Sequence, residues 1–536
     1  MSDAAIATST SRGHLSAEER KVIVASSLGT IFEWYDFVLF GSLAGVIAAQ
    51  FFSKADPTTG FIFALLAFSA GFIIRPLGAV VFGRIGDVVG RKYTFLVTIV
   101  IMGVATFAVG LLPTYDQIGI VAPCILIALR MLQGLAVGGE YGGAVVYVAE
   151  HGTRNRRGFF TSWIQTTGTI GFMLSLIVVL LTRLTVGEAN FLAWGWRIPF
   201  LLSIILLGIS VWIRMSLEES PVFAKMKAEG RVSKAPLSEA FGHWPNLKLV
   251  IVSLFGLIAG FGVVWYTSQF YSLLFLIQTL KVDAITANVM VIIALALATP
   301  FFIVFGSLSD RFGRKWIVLG GILLAAVSFN PAYKALTHFA NPALERALAA
   351  SPVVLVADPK ECSFQFNLTG TSRFTTSCDI AKQRLAQLSV SYTSEAGAPG
   401  TPATIKIGPR TVTLAELPAA VQAAGYPARA NPAEVNHVMV VLILFMLVLF
   451  LTMAYGPVAA MLVELFPTRV RYTSMSLPYH LGTGWFGGLT PTLGFAMVAA
   501  TGDIYSGLWF PIVVCAVTVV IGALFIPETK DLDINR

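Results

Sequence analysis

Two acidic side chains stand close together in the first apolar stretch of the chain. Glu33 and Asp36 are three positions apart, a spacing that puts both on one face of a helix. An ionisable group in the middle of a bilayer costs at least about 2.5 kcal/mol, so each needs a partner or a function. A buried carboxyl group can bind and release a proton near the working pH, as a reversible proton carrier requires.

The fourth apolar stretch contributes a basic group at a similar depth. Arg130 lies about 20 Å along a helix that enters the membrane at Gln117, counting about 1.5 Å per residue. We therefore hypothesise that Glu33, Asp36 and Arg130 form a proton-coupling cluster in which substrate and proton compete for one charge network. A static ion-pair network that only holds helices together is the alternative.

Candidate substrate contacts come from both halves of the chain. Two inward arginines, Arg75 and Arg130, would suit a carboxylate through bidentate hydrogen bonds, which favours an organic acid as the substrate. Snorkelling to the membrane surface is the alternative for Arg75. The later apolar stretches add four polar or aromatic candidates: Tyr266, Gln269, Tyr479 and His480. Packing or membrane anchoring is the alternative for the aromatic residues, and a helix–helix hydrogen bond for the histidine.

Helices that cross a membrane must position these side chains. The 536 residues are 56% apolar and only 12% charged, with a mean hydropathy of +0.77. Apolar runs long enough to cross a bilayer as helices, roughly 20 residues each, recur about twelve times. A water-soluble core cannot bury this much apolar surface. The sequence therefore predicts an all-α membrane protein with twelve transmembrane helices.

The formal net charge of +8 follows membrane topology and does not indicate a nucleic-acid partner. Arginine and lysine residues concentrate on alternate loops, so the positive-inside rule places both termini in the cytoplasm. We expect a monomeric, multi-pass protein of the bacterial inner membrane, in contact with the lipid bilayer and with no nucleic acid.

One loop motif occurs twice along the chain. Gly83-Arg-Ile-Gly-Asp87-Val-Val-Gly90-Arg91-Lys92 returns as Gly306-Ser-Leu-Ser-Asp310-Arg-Phe-Gly313-Arg314-Lys315, which indicates a duplication. A second pair of matching segments lies around Glu150 and Glu464. These two segments are separated by more residues than the repeated loops are, so extra sequence lies between the ninth and tenth spans. The predicted organisation is a cytoplasmic segment 1–20, a six-helix bundle 21–215, a cytoplasmic central loop 216–246, and a second six-helix bundle 247–536 interrupted by a periplasmic insertion 333–432.

The repeated loops predict a cytoplasmic gate. A carboxylate at the start of each loop can cap the positive end of a helix, and the arginines can pair with acidic helix ends. The candidate gate residues are Asp87, Arg91, Glu150, Asp310, Arg314 and Glu464. A plain topology signal, which positive charge alone would satisfy, is the alternative.

The insertion carries two of the four cysteines, Cys362 and Cys378. An oxidising periplasm favours a disulfide between them, with two free thiols as the alternative. Alternating residues on either side of Gly408-Pro409 predict a small β hairpin.

Several strings resemble the major facilitator superfamily, and within it the metabolite:proton symporter family, which is sugar-transporter-like and includes organic acid and osmolyte symporters. Besides the repeated loops, the strings are Glu33-Trp-Tyr-Asp36-Phe, Gly71-Phe-Ile-Ile-Arg75-Pro76-Leu-Gly, Arg130-Met-Leu-Gln133-Gly134, Gly195-Trp-Arg197-Ile-Pro-Phe, Leu217-Glu-Glu-Ser-Pro221-Val-Phe and Glu464-Leu-Phe-Pro467-Thr-Arg469. The resemblance covers nearly the whole chain except the insertion. It implies two six-helix bundles around a cavity that opens alternately to each side, and a coupling role for Arg130.

The resemblance and the arginines together predict proton-coupled symport of a small organic acid into the cell: a mono-, di- or tricarboxylate, a keto acid or a shikimate-like acid. A zwitterionic osmolyte such as proline or betaine is the alternative. It is disfavoured because the coiled-coil extension of osmosensing members does not follow the last span. A transporter-like receptor is a second alternative.

An enzyme is not expected, because the sequence has no P-loop, no nucleophile elbow and no metal-ligand spacing. We accordingly predict no catalytic residue, no metal site and no cofactor. The proton gradient is the expected driving force.

Overall fold

The computed structural model describes residues 17–55, 57–88, 91–139, 142, 145–146, 148–149, 154–215, 236–363, 375–388, 390–467 and 471–532. Within these ranges, seven helices are long and apolar enough to cross a membrane, and nine if each of two bent helix pairs is one span. Two shorter apolar helices, Leu96–Leu111 and Val121–Val137, accompany them. The protein is therefore mostly helical and crosses the membrane several times.

The first half consists of seven main helices. They are α1 Ala17–Ser42, α2 Ala44–Phe51, α3 Pro57–Val88, α4 Arg91–Leu111, α5 Val121–Val137, α6 Arg157–Val186 and α7 Arg197–Met215. The second half resumes after a short helix, Pro236–Phe241. Its main helices are α8 Trp244–Thr279, α9 Ala284–Phe312, α10 Lys315–Ala340, α14 His437–Leu465, α15 Arg471–Leu481, α16 Thr490–Thr501 and α17 Trp509–Phe525, with α11 to α13 in the inserted segment.

Glycines let α3 and α5 pack with their backbones in contact. A Cβ atom at Gly134 would collide with the carbonyl group of Gly71, and one at Gly138 with the carbonyl oxygen of Arg75. Small residues permit such close approach between membrane helices. As a result, Arg75 on α3 and Arg130 on α5 lie within range of each other's charge.

Wide helical turns, with i→i+5 hydrogen bonds, interrupt two regions of the second half. Three occur in α8, at Leu254–Ile258, Tyr266–Tyr271 and Phe275–Thr279, and a fourth, Gly482–Gly487, joins α15 to α16. A Cβ atom at Gly262 would lie only 2.9 Å from the carbonyl oxygen of Gly482, so the irregular parts of the two regions touch. Such turns frequently mark functional sites.

The inserted segment folds as a small α/β unit. Its helices and strands are α11 Pro342–Ala350, β1 Val353–Ala357, α12 Ser377–Gln387, β2 Tyr392–Ala396, β3 Thr404–Ile407, β4 Arg410–Val412 and α13 Leu417–Ala423. The sheet order is β2-β1-β3-β4, with β1 and β2 parallel and the other pairs antiparallel. The hairpin prediction is confirmed by β3 and β4. The all-α prediction is wrong for this segment, because its strands pair into a sheet.

The boundary at 333 is also wrong. Helix α10 continues to Ala340, and the buried hydroxyl of Tyr333 donates a hydrogen bond to the carbonyl oxygen of Thr267, 2.8 Å away. Alanine and leucine in this stretch sustain the helix, although its composition resembled a loop. The side chains of Asn341 and Asn436 then cap α11 and α14. The inserted segment is therefore 341–436.

A disulfide joins the loop after β1 to α12. The sulfur atoms of Cys362 and Cys378 are bonded, with their Cα atoms 5.2 Å apart. Nearby, backbone N–H groups of Gly400 and Lys360 donate to the carboxylate of Asp358 and hold its pKa below its usual value. These contacts tie the loop to the sheet.

We expect maleimide reagents to label the cysteines of the insertion only after reduction, because bonded sulfurs do not react. The measurement uses a chain in which Cys124 and Cys515, the free thiols, are replaced by alanine. A bond that closes 16 residues contributes about 3 kcal/mol, so Cys362→Ser combined with Cys378→Ser should lower the melting temperature. Labelling without reductant would contradict the bond.

Candidate functional site

Arg75 lies at the seam between the two halves. Its side chain is 1% exposed, and its guanidinium stacks 4.1 Å from the ring centroid of Phe37 and 4.4 Å from that of Phe72. Atoms Nε and Nη2 have no hydrogen-bond partner in the part of the chain that the structure describes. Because the guanidinium is enclosed by aromatic rings of α1 and α3, it does not snorkel to the surface. Buried donors of this kind require a partner.

The second half supplies the facing wall. The rings of Phe72 and Tyr266 are 5.3 Å apart, and Tyr266 and Tyr479 are close enough to interact with the charge of Arg75. His480 lies within the same range of Arg75. The sequence candidates Arg75, Tyr266, Tyr479 and His480 are therefore brought together from three helices.

Several buried polar atoms of α8 and α15 lack hydrogen-bond partners among the described residues. They are Nε1 of Trp265, the hydroxyl of Tyr266, both amide atoms of Gln269 and both ring nitrogens of His480. Tyr479 differs, because its hydroxyl is 2.9 Å from that of Tyr455. Together with Arg75, these atoms form a group of donors and acceptors that we name the central polar site. A polar solute between the halves would satisfy them.

Aromatic rings surround the central polar site. Trp34 of α1 is 5.3 Å from Trp265 of α8, and the Arg75 guanidinium is 5.8 Å from the Trp34 ring. The sequence alone indicated no role for Trp34 or Phe37. The available signal was their position in the same string as Glu33 and Asp36, with Trp34 and Phe37 three residues apart on one helical face.

Arg130 is held mainly by groups of its own half. Its side chain is fully buried, and Nη1 donates to Oε1 of Gln133 at 2.5 Å while Nη2 donates to the carbonyl oxygen of Phe37 at 3.3 Å. Gln133 in turn donates to the hydroxyl of Thr106 at 2.8 Å. Both Nη atoms of Arg130 are therefore hydrogen-bonded, whereas its Nε atom has no hydrogen-bond partner among the described residues.

The side chains of Gln133 and Thr106 connect Arg130 to Asp36. The carboxyl group of Asp36 is 5% exposed and faces the hydroxyl of Thr106. Its Oδ1 atom has no hydrogen-bond partner among the described residues. Glu33, 9% exposed, lies one turn earlier on α1. Gln133 and Thr106 therefore stand between Arg130 and Asp36, and we name this chain of four side chains the relay.

A second charged network lies at the end of the bundle opposite the insertion. The carboxylate of Asp310 accepts hydrogen bonds from the backbone N–H groups of Gly158 and Phe159, at 2.8 and 2.9 Å. It therefore caps the positive end of α6, across the seam. We name this group, with Arg157, Arg314 and Glu464, the gate network.

Glu464 is the buried centre of the gate network. Arg314 binds it with two hydrogen bonds of 2.6 and 2.7 Å, and Arg157 of the first half lies 3.6 Å away. Asp87, Arg91 and Glu150, the first-half gate candidates, lie outside the residues whose side chains the structure describes. Contacts across the seam therefore hold this end together through Asp310 and Glu464.

Replacing Glu464 by glutamine should lower the free energy of unfolding by about 3 kcal/mol, because two arginines then lose a buried carboxylate. The apparent melting temperature of the purified protein measures this. Glu434→Gln is the matched control: Glu434 pairs with the exposed Arg346 at 2.8 Å, and surface pairs are worth about 0–1 kcal/mol. Equal shifts for the two variants would contradict the assignment.

Further seam contacts close the end that carries the insertion. The hydroxyls of Ser69 and Thr492 are 2.9 Å apart, and the rings of Phe61 and Phe495 are 5.1 Å apart. A Cβ atom at Gly41 would collide with the ring of Phe270. The central polar site thus lies between contacts at both ends of the seam.

Two helical halves that meet at a buried polar site are the architecture of the major facilitator class of membrane proteins. The chain belongs to the family described as Sugar (and other) transporter, whose model matches residues 21–246 and 409–536.

Curated relatives are bacterial transporters. The proline/betaine transporter of Escherichia coli K12 is 41% identical over 325 residues, which cover 59% of this chain and 64% of that protein. The glycine betaine/proline/ectoine/pipecolic acid transporter OusA of Dickeya dadantii is 40% identical, with 58% and 64% covered. The chain thus spans 64% of the length of these relatives. The shikimate transporter of Escherichia coli K12 is 35% identical, with 63% and 77% covered.

Solved structures share the fold. The proton:xylose symporter XylE bound to 6-bromo-6-deoxy-D-glucose matches with a TM-score of 0.62 at 15% identity, covering 96% of this chain and 98% of that one. The partially occluded inward-open xylose transporter XylE from Escherichia coli matches with a TM-score of 0.58 at 16% identity, covering 97% and 100%.

Proposed function

We propose that the protein imports a zwitterionic osmolyte such as proline or betaine together with a proton. This replaces the organic acid that the sequence favoured, because relatives about 40% identical carry proline and betaine in their names. The proposal includes twelve spans in two bundles, both termini in the cytoplasm and the insertion 341–436 in the periplasm. The gate network then faces the cytoplasm.

The observation that carries the proposal is the unsatisfied guanidinium of Arg75. A carboxylate placed on Nε and Nη2 would restore the hydrogen bonds that these atoms lack. The cationic end of a zwitterion would rest against the nearby rings of Trp34, Trp265 and Tyr266, whose faces attract ammonium groups. A carboxylate and a cation in one small solute match this pair of surfaces.

Proton coupling rests on the relay from Arg130 to Asp36. Binding of a proton to Asp36 changes the charge beside Thr106, and Gln133 connects that change to the arginine. Arg130 also senses the charge of Arg75. The occupancy of the central polar site and the protonation of Asp36 are thereby linked, as a symporter requires.

Alternating access requires the seam contacts to break one end at a time. Opening toward the cytoplasm separates Asp310 from the start of α6 and Glu464 from Arg157, while opening outward separates Ser69 from Thr492. The wide turns of α8 provide places where a helix can bend without losing all of its hydrogen bonds.

Uptake by proteoliposomes tests the proposal. Labelled proline, betaine, shikimate and xylose are offered with an inward proton gradient, and an uncoupler serves as the control. We expect proline or betaine to accumulate and the uncoupler to abolish the accumulation. Binding without movement of any solute would favour a receptor and contradict transport.

A small organic acid is the second candidate. The shikimate transporter of Escherichia coli K12 is matched over 77% of its length, a larger share than the proline/betaine transporters. Arg75 would hold the carboxylate of either solute. Shikimate has a neutral ring and therefore no cation to place on the aromatic faces. Accumulation of shikimate in the same experiment, with no accumulation of proline or betaine, would select this candidate.

A further inference from the structure

A cleft lies where the inserted segment meets the turn between α8 and α9. Its volume is about 540 Å³, within the roughly 300–1,000 Å³ of small-molecule sites. Thr279 and Lys281 line it from the turn, and Val421, Gln422 and Tyr426 line it from α13 and the loop that follows. This cleft is separate from the central polar site.

The insertion holds the turn firmly. The side-chain amide of Asn341 donates to the carbonyl oxygen of Leu280 at 2.9 Å. The backbone N–H of Ala430 donates to the carbonyl oxygen of Lys281 at 3.0 Å. Lys281 has a φ angle of 57°, in the left-handed region that residues with a side chain rarely adopt. A residue in this conformation commonly ends a helix, and Lys281 follows the last turn of α8.

The lining of the cleft combines one cation with apolar walls. Lys281 is the charged residue among the described residues that line the cleft, and Leu344, Leu388 and Val390 are among the apolar ones. Thr279 and Gln422 add hydrogen-bonding groups beside the apolar surface. Burial lowers the pKa of the Lys281 ammonium, and a carboxylate near this side chain would favour its charged form.

We propose that this cleft binds a small carboxylate with an apolar body, the carboxylate on Lys281 and the body against α13. The ligand would bridge the end of α8 and the inserted segment, and α8 also carries Tyr266 and Gln269 of the central polar site. The occupant is either the transported solute or another organic acid, and the test below separates the two.

Benzoate binding to the purified full-length protein tests the proposal, with neutral benzamide as the matched probe. Equilibrium dialysis is carried out in an Arg75→Gln background, so that the central polar site does not contribute. We expect benzoate to bind at least tenfold more tightly than benzamide. Lys281→Asn should weaken benzoate at least tenfold, because asparagine tolerates a positive φ but carries no charge.

Ala419→Trp gives a second variant, since Ala419 is an exposed residue of the cleft and a large ring there blocks it. Lys406→Gln is the control, because this exposed lysine lies on β3 outside the cleft lining. Unchanged benzoate binding in both Lys281→Asn and Ala419→Trp, or equal binding of benzamide, overturns the site. Given benzoate binding at the cleft, displacement by proline or shikimate assigns it to a transported solute, and no displacement assigns it to another acid.

Discussion

Replacing Arg75 by glutamine is expected to reduce the kcat/KM of uptake by about 100-fold or more while the protein still inserts in normal amounts. Arg75 presents two buried donors without partners among the described residues, and a bound carboxylate would supply them. Removing one partner of a buried charge pair costs about 2–5 kcal/mol. The substrate that the uptake screen identifies is the probe, and initial rates in proteoliposomes are the measurement.

Two further variants sharpen this prediction. Arg75→Lys keeps the charge but loses the planar fork, so we expect uptake between those of the original protein and the glutamine variant. Arg183→Gln is the matched control, because Arg183 is a buried arginine, 9% exposed, that pairs with Glu188 away from the seam. Uptake within twofold of the original by Arg75→Gln would remove Arg75 from the substrate site.

The second large effect concerns Asp36. Asp36→Asn should abolish accumulation driven by a pH gradient while exchange of labelled for unlabelled substrate continues. Asparagine has nearly the shape of aspartate and keeps contact with Thr106, but it carries no exchangeable carboxyl proton. The expected accumulation ratio falls to about one, since an uncoupled carrier only equalises concentrations.

Separate assays of exchange and accumulation distinguish coupling from folding. If both carboxylates serve the coupling, Glu33→Gln should also lose accumulation while exchange continues. Asp116→Asn is the control and should change neither assay, because Asp116 is exposed and bonds only to Ser53 among the described residues. If Asp36→Asn accumulates substrate with normal pH dependence, the coupling proposal is wrong and a structural role for the relay remains.

Several features could be predicted from the sequence because they depend on local composition. Mean hydropathy indicates the membrane, and the repeated loop around Asp310 and Arg314 indicates the duplication and the family. The hairpin was predictable from alternation and from a Gly-Pro turn. The pairing of β1 with β2 was not, because it is parallel and joins strands separated by a helix and a loop.

The candidate site was predictable as a set of residues but not as an arrangement. An ionisable group in an apolar stretch stands out at once, so Arg75, Arg130 and Asp36 were evident. Helix periodicity cannot tell which way Arg75 turns, nor that Gln133 and Thr106 stand between Arg130 and Asp36, since these contacts join three helices. The aromatic ring of Trp34 was equally ambiguous until Trp265 was found beside it.

The sequence by itself determined that the chain is a membrane protein of duplicated halves with a few charges inside its apolar spans, because hydropathy and motifs are properties of consecutive residues. Only the tertiary structure decided that Arg75 faces Tyr266, Tyr479 and His480 across the seam, and that the Lys281 turn meets the insertion. Both are long-range contacts between helices, fixed by close glycine packing and by the inserted segment rather than by any local pattern.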